Sequence, residues 1–263
     1  MTSIPESTEN QVLNVKEGDF SVDLNSQSTL NTNQESSISC ASIPFVKKLI
    51  AEFLDTYFLI FAGCASEIVD HKYKAVTLPG ISIVWGLVLM CMIYSVNHIS
   101  GSHLNPAVTI AFAATKRFTY KQVPAYVGAQ LLGATLASGT LRLIFYGNED
   151  HFAGTLPSGS ELQSFAVEFI TTFYRMFVVC GVATDKRAFR EFAGLAIGSI
   201  VLINVMFARP ISGGSMNPVR SLGPAIVWRE YRGIWVYLVG PTLGAVCAAW
   251  VYKIFTPTDK PLP

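Results

Sequence analysis

Asn105 and Asn217 each stand one residue before a proline, and each closes a near copy of one stretch. The first is Ser100-Gly101-Ser102-His103-Leu104-Asn105-Pro106-Ala107-Val108-Thr109. The second is Ser212-Gly213-Gly214-Ser215-Met216-Asn217-Pro218-Val219-Arg220-Ser221. Such residues offer hydrogen bonds and fields rather than bond making. Asn is a strong helix N-cap, and proline suits the first helical position because its missing N–H is an orphan there. Asn105-Pro106-Ala107 and Asn217-Pro218-Val219 therefore read as loops that turn into short helices. Two helix N-termini aimed at one narrow path make its centre positive, and the two amides offer donors to a passing oxygen. That site accepts neutral hydroxylic molecules and opposes protons and cations. Neither copy places a row of carboxylates along the path, which argues against a cation filter.

Other residues fit the same chemistry. Arg220 lies three residues after Asn217. An arginine at membrane depth is costly, so beside a pore motif it reads as a cation barrier and donor. Glu52 and Glu168 open a second echo, Ala51-Glu52-Phe53 against Val167-Glu168-Phe169, and precede the two asparagines by 53 and 49 positions. As buried carboxylates they are expected to accept hydrogen bonds from the motif loops, a structural role. His98 and His103 flank the first motif, where holding the loop is favoured over pH sensing. We find no nucleophile beside a base at useful spacing and no metal-ligand spacing among the five cysteines. No enzyme, cofactor or metal is therefore expected.

The elements that must position these residues belong to a membrane. Of the 263 residues, 51% are hydrophobic and only 14% charged, and mean hydropathy is +0.40. Soluble domains carry roughly a quarter charged residues. A net charge of +1 gives no reason to expect nucleic acid. Six segments, about 45–66, 78–99, 122–146, 163–183, 192–211 and 234–255, approach the roughly 20 apolar residues a spanning helix needs. The Asn-Pro segments follow the second and fifth, and are too short to span. Irregular backbone at that depth is tolerated only inside protein or along a water-filled path. Three spans per half make the halves inverted, so the two Asn-Pro ends meet from opposite faces. Gly128, Ala129, Gly133, Ala134, Gly240, Gly244, Ala245 and Ala248 recur at helical spacing and predict close helix contact. Lys47, Lys116, Arg187 and Lys253 are among ten basic residues on one side, against five on the other, which predicts cytoplasmic termini. Residues 1–42 read as a disordered cytoplasmic tail, 43–256 as the channel domain (repeats at about 45–146 and 163–255) and 257–263 as a second cytoplasmic tail. No cleavable signal peptide is read in the first 40 residues.

The doubled Asn-Pro, Ser-Gly-x-His-Leu-Asn-Pro-Ala-Val-Thr and Asn-Pro-x-Arg-Ser-Leu-Gly-Pro-Ala stretches resemble the major intrinsic proteins, the aquaporins and aquaglyceroporins. Ala-Glu-Phe-x-x-Thr-Tyr-Phe-Leu-Ile-Phe-Ala-Gly-Cys and Gly-Val-Ala-Thr-Asp are similar to the plant nodulin-26-like subgroup. The resemblance implies an all-α right-handed bundle of six transmembrane helices and two re-entrant half-helices. It implies a homotetramer in the lipid bilayer of the plasma membrane or a plant endomembrane, with one pore per subunit. It also implies an outer selectivity filter, which spacing from the motifs puts at Trp85, Val205, Gly214 and Arg220. The implied function is passive passage of glycerol and similar polyols, with urea, ammonia and metalloid acids in the same class and modest water flow. The alternative is a water-selective channel or a closed, scaffolding member. A secondary transporter is a further class, but the paired intramembrane acids it needs are missing unless Asp55 serves.

The sequence departs from the family at several points. Val219 stands where most members have Ala, which is expected to narrow or reshape the centre. Gly214 stands where Ala is more usual, which is expected to widen the mouth. Asp55 and Arg175 put charges inside spans, at roughly 2.5–3.5 kcal/mol each on insertion scales, and are expected to pair. Arg209 stands where Gly is usual and is expected near the outer surface.

Overall fold

The computed structural model describes residues 43–145 and 151–256. The expected tails at 1–42 and 257–263 lie outside the described residues. Eight α-helices follow in order: α1 (Ile43–Tyr73), α2 (Thr77–Ser100), α3 (Pro106–Ala114), α4 (Val123–Ile144), α5 (Glu161–Val179), α6 (Ala193–Ser212), α7 (Pro218–Trp228) and α8 (Ile234–Lys253). No strand occurs among the described residues. Six helical segments are long and apolar enough to cross a membrane, while α3 and α7, of 9 and 11 residues, are not. The expected bounds hold within a few residues except in α1. That helix runs on from about 66 to Tyr73, because nothing in Glu67–Tyr73 breaks it although the segment is polar.

The halves pack as copies. In the first, α1 lies against α2 and α4, and in the second α5 lies against α6 and α8. Across the middle α2 meets α6 and α3 meets α7, while α4 takes α7 and α8 takes α3. Exchanging the halves maps this pattern onto itself. Glycines fix the closest approaches. A Cβ on Gly86 would meet the Gly198 carbonyl at 2.7 Å, and one on Gly198 the Gly86 carbonyl at 2.6 Å. Gly133 and Gly244 stand likewise over the carbonyls of Phe53 and Phe169. Small residues thus let backbones approach where lipid gives no hydrophobic push. Gly128 differs from expectation: a Cβ there would meet nothing within 4 Å. It faces outward from α4.

Candidate functional site

Each motif loop begins where a long helix is capped in the left-handed region, at Gly101 (φ 88°) and Gly213 (φ 87°). Three residues on, Leu104 (φ 53°) and Met216 (φ 51°) adopt the left-handed conformation again. A side chain there costs energy and persists only when surroundings over-determine it. The surroundings are the two glutamates. Glu52 accepts from the His103 and Leu104 N–H groups, both at 2.8 Å, and from the Gln130 amide. Glu168 accepts from Ser215 N–H at 2.8 Å, Met216 N–H at 2.7 Å and the Ser212 hydroxyl. Both carboxylates are fully buried, so these donors take the place of water.

The strained residues aim their carbonyls across the junction. Asn217 Nδ2 donates to the Leu104 carbonyl at 2.9 Å, and Asn105 Nδ2 to the Met216 carbonyl at 2.7 Å. Each Oδ1 caps its own helix, accepting from Ala107 N–H at 2.8 Å and Val219 N–H at 3.2 Å. An Asn amide has two N–H donors. One N–H of each amide is spent on the opposite loop, and Asn217 also lines the smaller cavity described below. Pro106 and Pro218 occupy the first helical positions. Tyr126 and Tyr237 donate to the Ser100 and Ser212 carbonyls at the two loop starts, a matched pair the sequence reading missed. Their near-equal distances beyond the two asparagines were the available signal. His103 shares a hydrogen bond with Thr109 Oγ1 at 3.0 Å and holds its loop, while His98 is exposed.

Trp85, Val205, Gly214 and Arg220 line one cavity of about 20 Å³ beside Asn217 and Met216. Gly63 makes room for Trp85: a Cβ there would sit 2.3 Å from the indole. Gly214 has a backbone reason beyond room. Its φ of 62° is left-handed, and a Cβ would lie 3.3 Å from Arg209 N. Val219 departs from expectation, because its side chain is buried in the core and lines neither this cavity nor the larger one below. Its extra methyls act on packing rather than on the path.

Sequence reasoning also missed Glu67. One oxygen accepts from the Trp85 indole N–H at 3.0 Å and from Arg220 Nη2 at 2.6 Å. The other lies 3.4 Å from Arg209 Nη2. Arg220 also donates to the Ala153 carbonyl at 3.1 Å and stacks on Trp85, with Cζ 4.9 Å from the ring centroid. The cation at this end is thus held by a carboxylate, an indole face and a carbonyl. Arg209 is half of a bridged pair rather than a loose surface charge. Beside it, the His71 and His151 rings stack with centroids 3.9 Å apart. Burial, and then His71, push the His151 pKa below the usual histidine value.

At the opposite end lies a cavity of about 180 Å³, lined in part by Asn97, Ser102, His103, Val108, Arg175 and Arg190. In the loop after α5, hydrogen bonds from Arg187 hold the Asp185 carboxyl far below the usual range. The expected Asp55–Arg175 pair does not form. Asp55 accepts from Ser102 Oγ at 3.4 Å, whereas Arg175 reaches only the Met216 carbonyl, at 3.5 Å. No carboxylate among the described residues lies within 4.0 Å of Arg175. The two side chains leave different helices toward different loops.

Comparison with known proteins agrees with this geometry. The family model "Major intrinsic protein" matches residues 39–252. Nodulin-26 of Glycine max is 62% identical over 237 residues, which cover 89% of this chain and 88% of that one. Aquaporin NIP1-2 of Arabidopsis thaliana is 61% identical, over 87% of this chain and 81% of its own. The crystal structure of the aquaglyceroporin from Plasmodium falciparum superposes with a TM-score of 0.72 at 28% identity, covering 79% of this chain and 95% of that one. With six apolar spans, two half-helices and a family match across nearly all the described residues, this chain is an integral multi-pass membrane protein that belongs to the major intrinsic proteins, which are passive channels rather than enzymes.

Proposed function

We propose that the path through the bundle conducts small uncharged solutes, glycerol and similar polyols among them, with modest water flow. Urea, ammonia and undissociated metalloid acids fall in the same class. The observation that carries this reading is the reciprocal junction, in which each asparagine caps its own half-helix and grips the opposite loop, with Asn217 on the wall of the smaller cavity. A fixed donor pair backed by two helix N-termini suits a hydroxyl oxygen and repels cations. Trp85 and Val205 supply an apolar wall to the small cavity, and Arg220 a polar one. Those residues and Gly214 act as the filter. In the same reading four copies form a homotetramer in a plasma membrane or plant endomembrane. The end bearing Arg190 faces the cytoplasm, as do the tails at 1–42 and 257–263.

Swelling of proteoliposomes in an iso-osmotic glycerol gradient, beside a water-only osmotic jump, tests this. Glycerol entry is expected to exceed that of empty liposomes and to be lost in Asn217→Asp, which puts an acceptor against the Leu104 carbonyl. Equal rates in empty and loaded liposomes would overturn it. A second reading, a water-selective or closed channel, is favoured by the size of the outer cavity. About 20 Å³ holds one water, which needs about 10–15 Å³, but not a three-carbon chain. Water flow without glycerol flow would select it.

A further inference from the structure

Arg175 is the feature the conduction reading does not use. It projects from α5 and is 4% exposed. Only Leu89 and Arg175 line both cavities, so the guanidinium stands on the path between them. Its single hydrogen bond is the long one to Met216, and its Nε is buried with no partner. The repeat sharpens the point. Counting from Glu52 and Glu168, the residue seven positions on is Leu59 in the first half and Arg175 in the second. Leu59 is buried on the wall of the small cavity, so the same backbone site takes an aliphatic side chain in one half and a cation in the other.

A buried guanidinium with open donors and no carboxylate within 4.0 Å among the described residues has hydrogen bonds to offer an anion. The larger cavity suits one. At about 180 Å³ it is far roomier than one water requires. Arg190 adds a second positive charge at the exposed rim, and no Asp or Glu lines the cavity. Asn217, which caps α7, lines the smaller cavity that Arg175 shares, so that half-helix N-terminus adds positive potential beyond the guanidinium. Ser102, His103 and Asn97 are the neutral polar groups of the larger cavity's lining, the Ser102 hydroxyl also meeting Asp55 at 3.4 Å.

We propose that Arg175 makes this cavity a binding site for a small singly charged oxyanion or carboxylate, of the size of formate or nitrate. The guanidinium fork meets two oxygens of one planar anion, a geometry that lysine does not supply. A bound anion neutralises the buried charge and stands on the path, so it stabilises the fold and slows neutral solutes together.

Thermal unfolding of the full-length protein in detergent tests the site without needing flux, so failure of the conduction reading would leave the test intact. Sodium formate is titrated against sodium gluconate, a far bulkier carboxylate, at constant ionic strength. The wild type is expected to gain melting temperature along a saturating curve, as ligand linkage requires. Arg175→Leu, which installs the residue of the other repeat, is expected to melt at or above the wild type in gluconate and to lose the formate response. Arg190→Ala, at an exposed position, is expected to keep the fold and shift the half-saturating formate concentration up several-fold. Arg175→Gln provides the neutral comparison if the leucine variant does not express. No saturable response in the wild type would overturn the proposal. So would a response unchanged in the Arg175 variants.

Discussion

Glu67→Gln removes a charge on which three residues converge. Arg220 Nη2 lies 2.6 Å from the carboxylate, and the two side chains are 3% and 4% exposed. At that distance and an effective dielectric constant of about 20, their gross attraction is about 6 kcal/mol. Desolvation offsets most of this gain. Deleting one partner, however, strands the other as a buried charge, at a cost of about 3–5 kcal/mol. Two contacts soften the loss here, the Ala153 carbonyl and the Trp85 ring. Glutamine also keeps an acceptor for the indole. We therefore expect the low end, a loss of about 3 kcal/mol, in unfolding of the purified protein. Arg209 provides the internal control. It is 28% exposed and 3.4 Å from Glu67, so Arg209→Ala alone, which keeps the helix propensity of α6, should cost no more than about 1 kcal/mol. In the Glu67→Gln background the sign should reverse, because Arg209 then crowds Arg220 with no counter-charge between them. A coupling of about 1–3 kcal/mol in the double-mutant cycle is the expected result. Stability of Glu67→Gln within about 0.5 kcal/mol of wild type, or strict additivity, would refute the shared-carboxylate account.

Removing an acceptor at the loops strands two buried N–H groups at once, so Glu168→Ala should cost about 2–6 kcal/mol by unfolding, and Glu168→Gln less, since the amide oxygen still accepts. Gly86→Ala should cost about 1–3 kcal/mol, because the new methyl meets a backbone carbonyl at 2.7 Å rather than a side chain that can turn away; equal melting of both forms would show that α2 and α6 separate freely. The lowered His151 pKa means that the folded state binds fewer protons than the unfolded one as pH falls through the usual histidine range. Stability contributed there is present above that range and lost below it, so acidification from pH 7 to 5 should raise hydrogen exchange at 151–156, and His151→Gln should flatten that dependence.

What could be seen in the sequence was whatever the duplication wrote twice. Asn105 and Asn217, Glu52 and Glu168, and the capped half-helices all appear in pairs, and each copy vouches for the other. Glu67 has no copy. It sits at the polar end of a long helix, where an acid reads as interfacial, and its partners Trp85 and Arg220 lie 18 and 153 positions away. Only the fold brings them to one carboxylate. Val219 failed for a different reason. A motif position names a neighbourhood but not a direction, and its side chain turns into the core. Gly214 was read as room at the mouth, although a left-handed φ already demands glycine there. Spacing reports which residue is present, not the dihedral that selects it.

Asp55 and Arg175 were expected to neutralise each other because each is costly at mid-depth. Both are nearly buried, at 2% and 4% exposure, yet they do not pair. An unpaired cation at that depth is tolerated where it meets a water-filled cavity, and Arg175 lines two. The missing pair is therefore what puts a charge on the path. The two ends of the path now differ. At one, a single carboxylate lies between Arg209 and Arg220, leaving one net positive charge. At the other, Arg190 lines the larger cavity, which has no carboxylate on its walls, and Arg175 stands between the two cavities. A neutral solute meets no deep well at either end. A small anion entering beside Arg190 reaches Arg175 without meeting a carboxylate on the walls, and the space beyond narrows to about 20 Å³, room for about one water. Such an anion is held rather than passed, and that asymmetry makes the larger cavity a binding site on the same path that neutral solutes use.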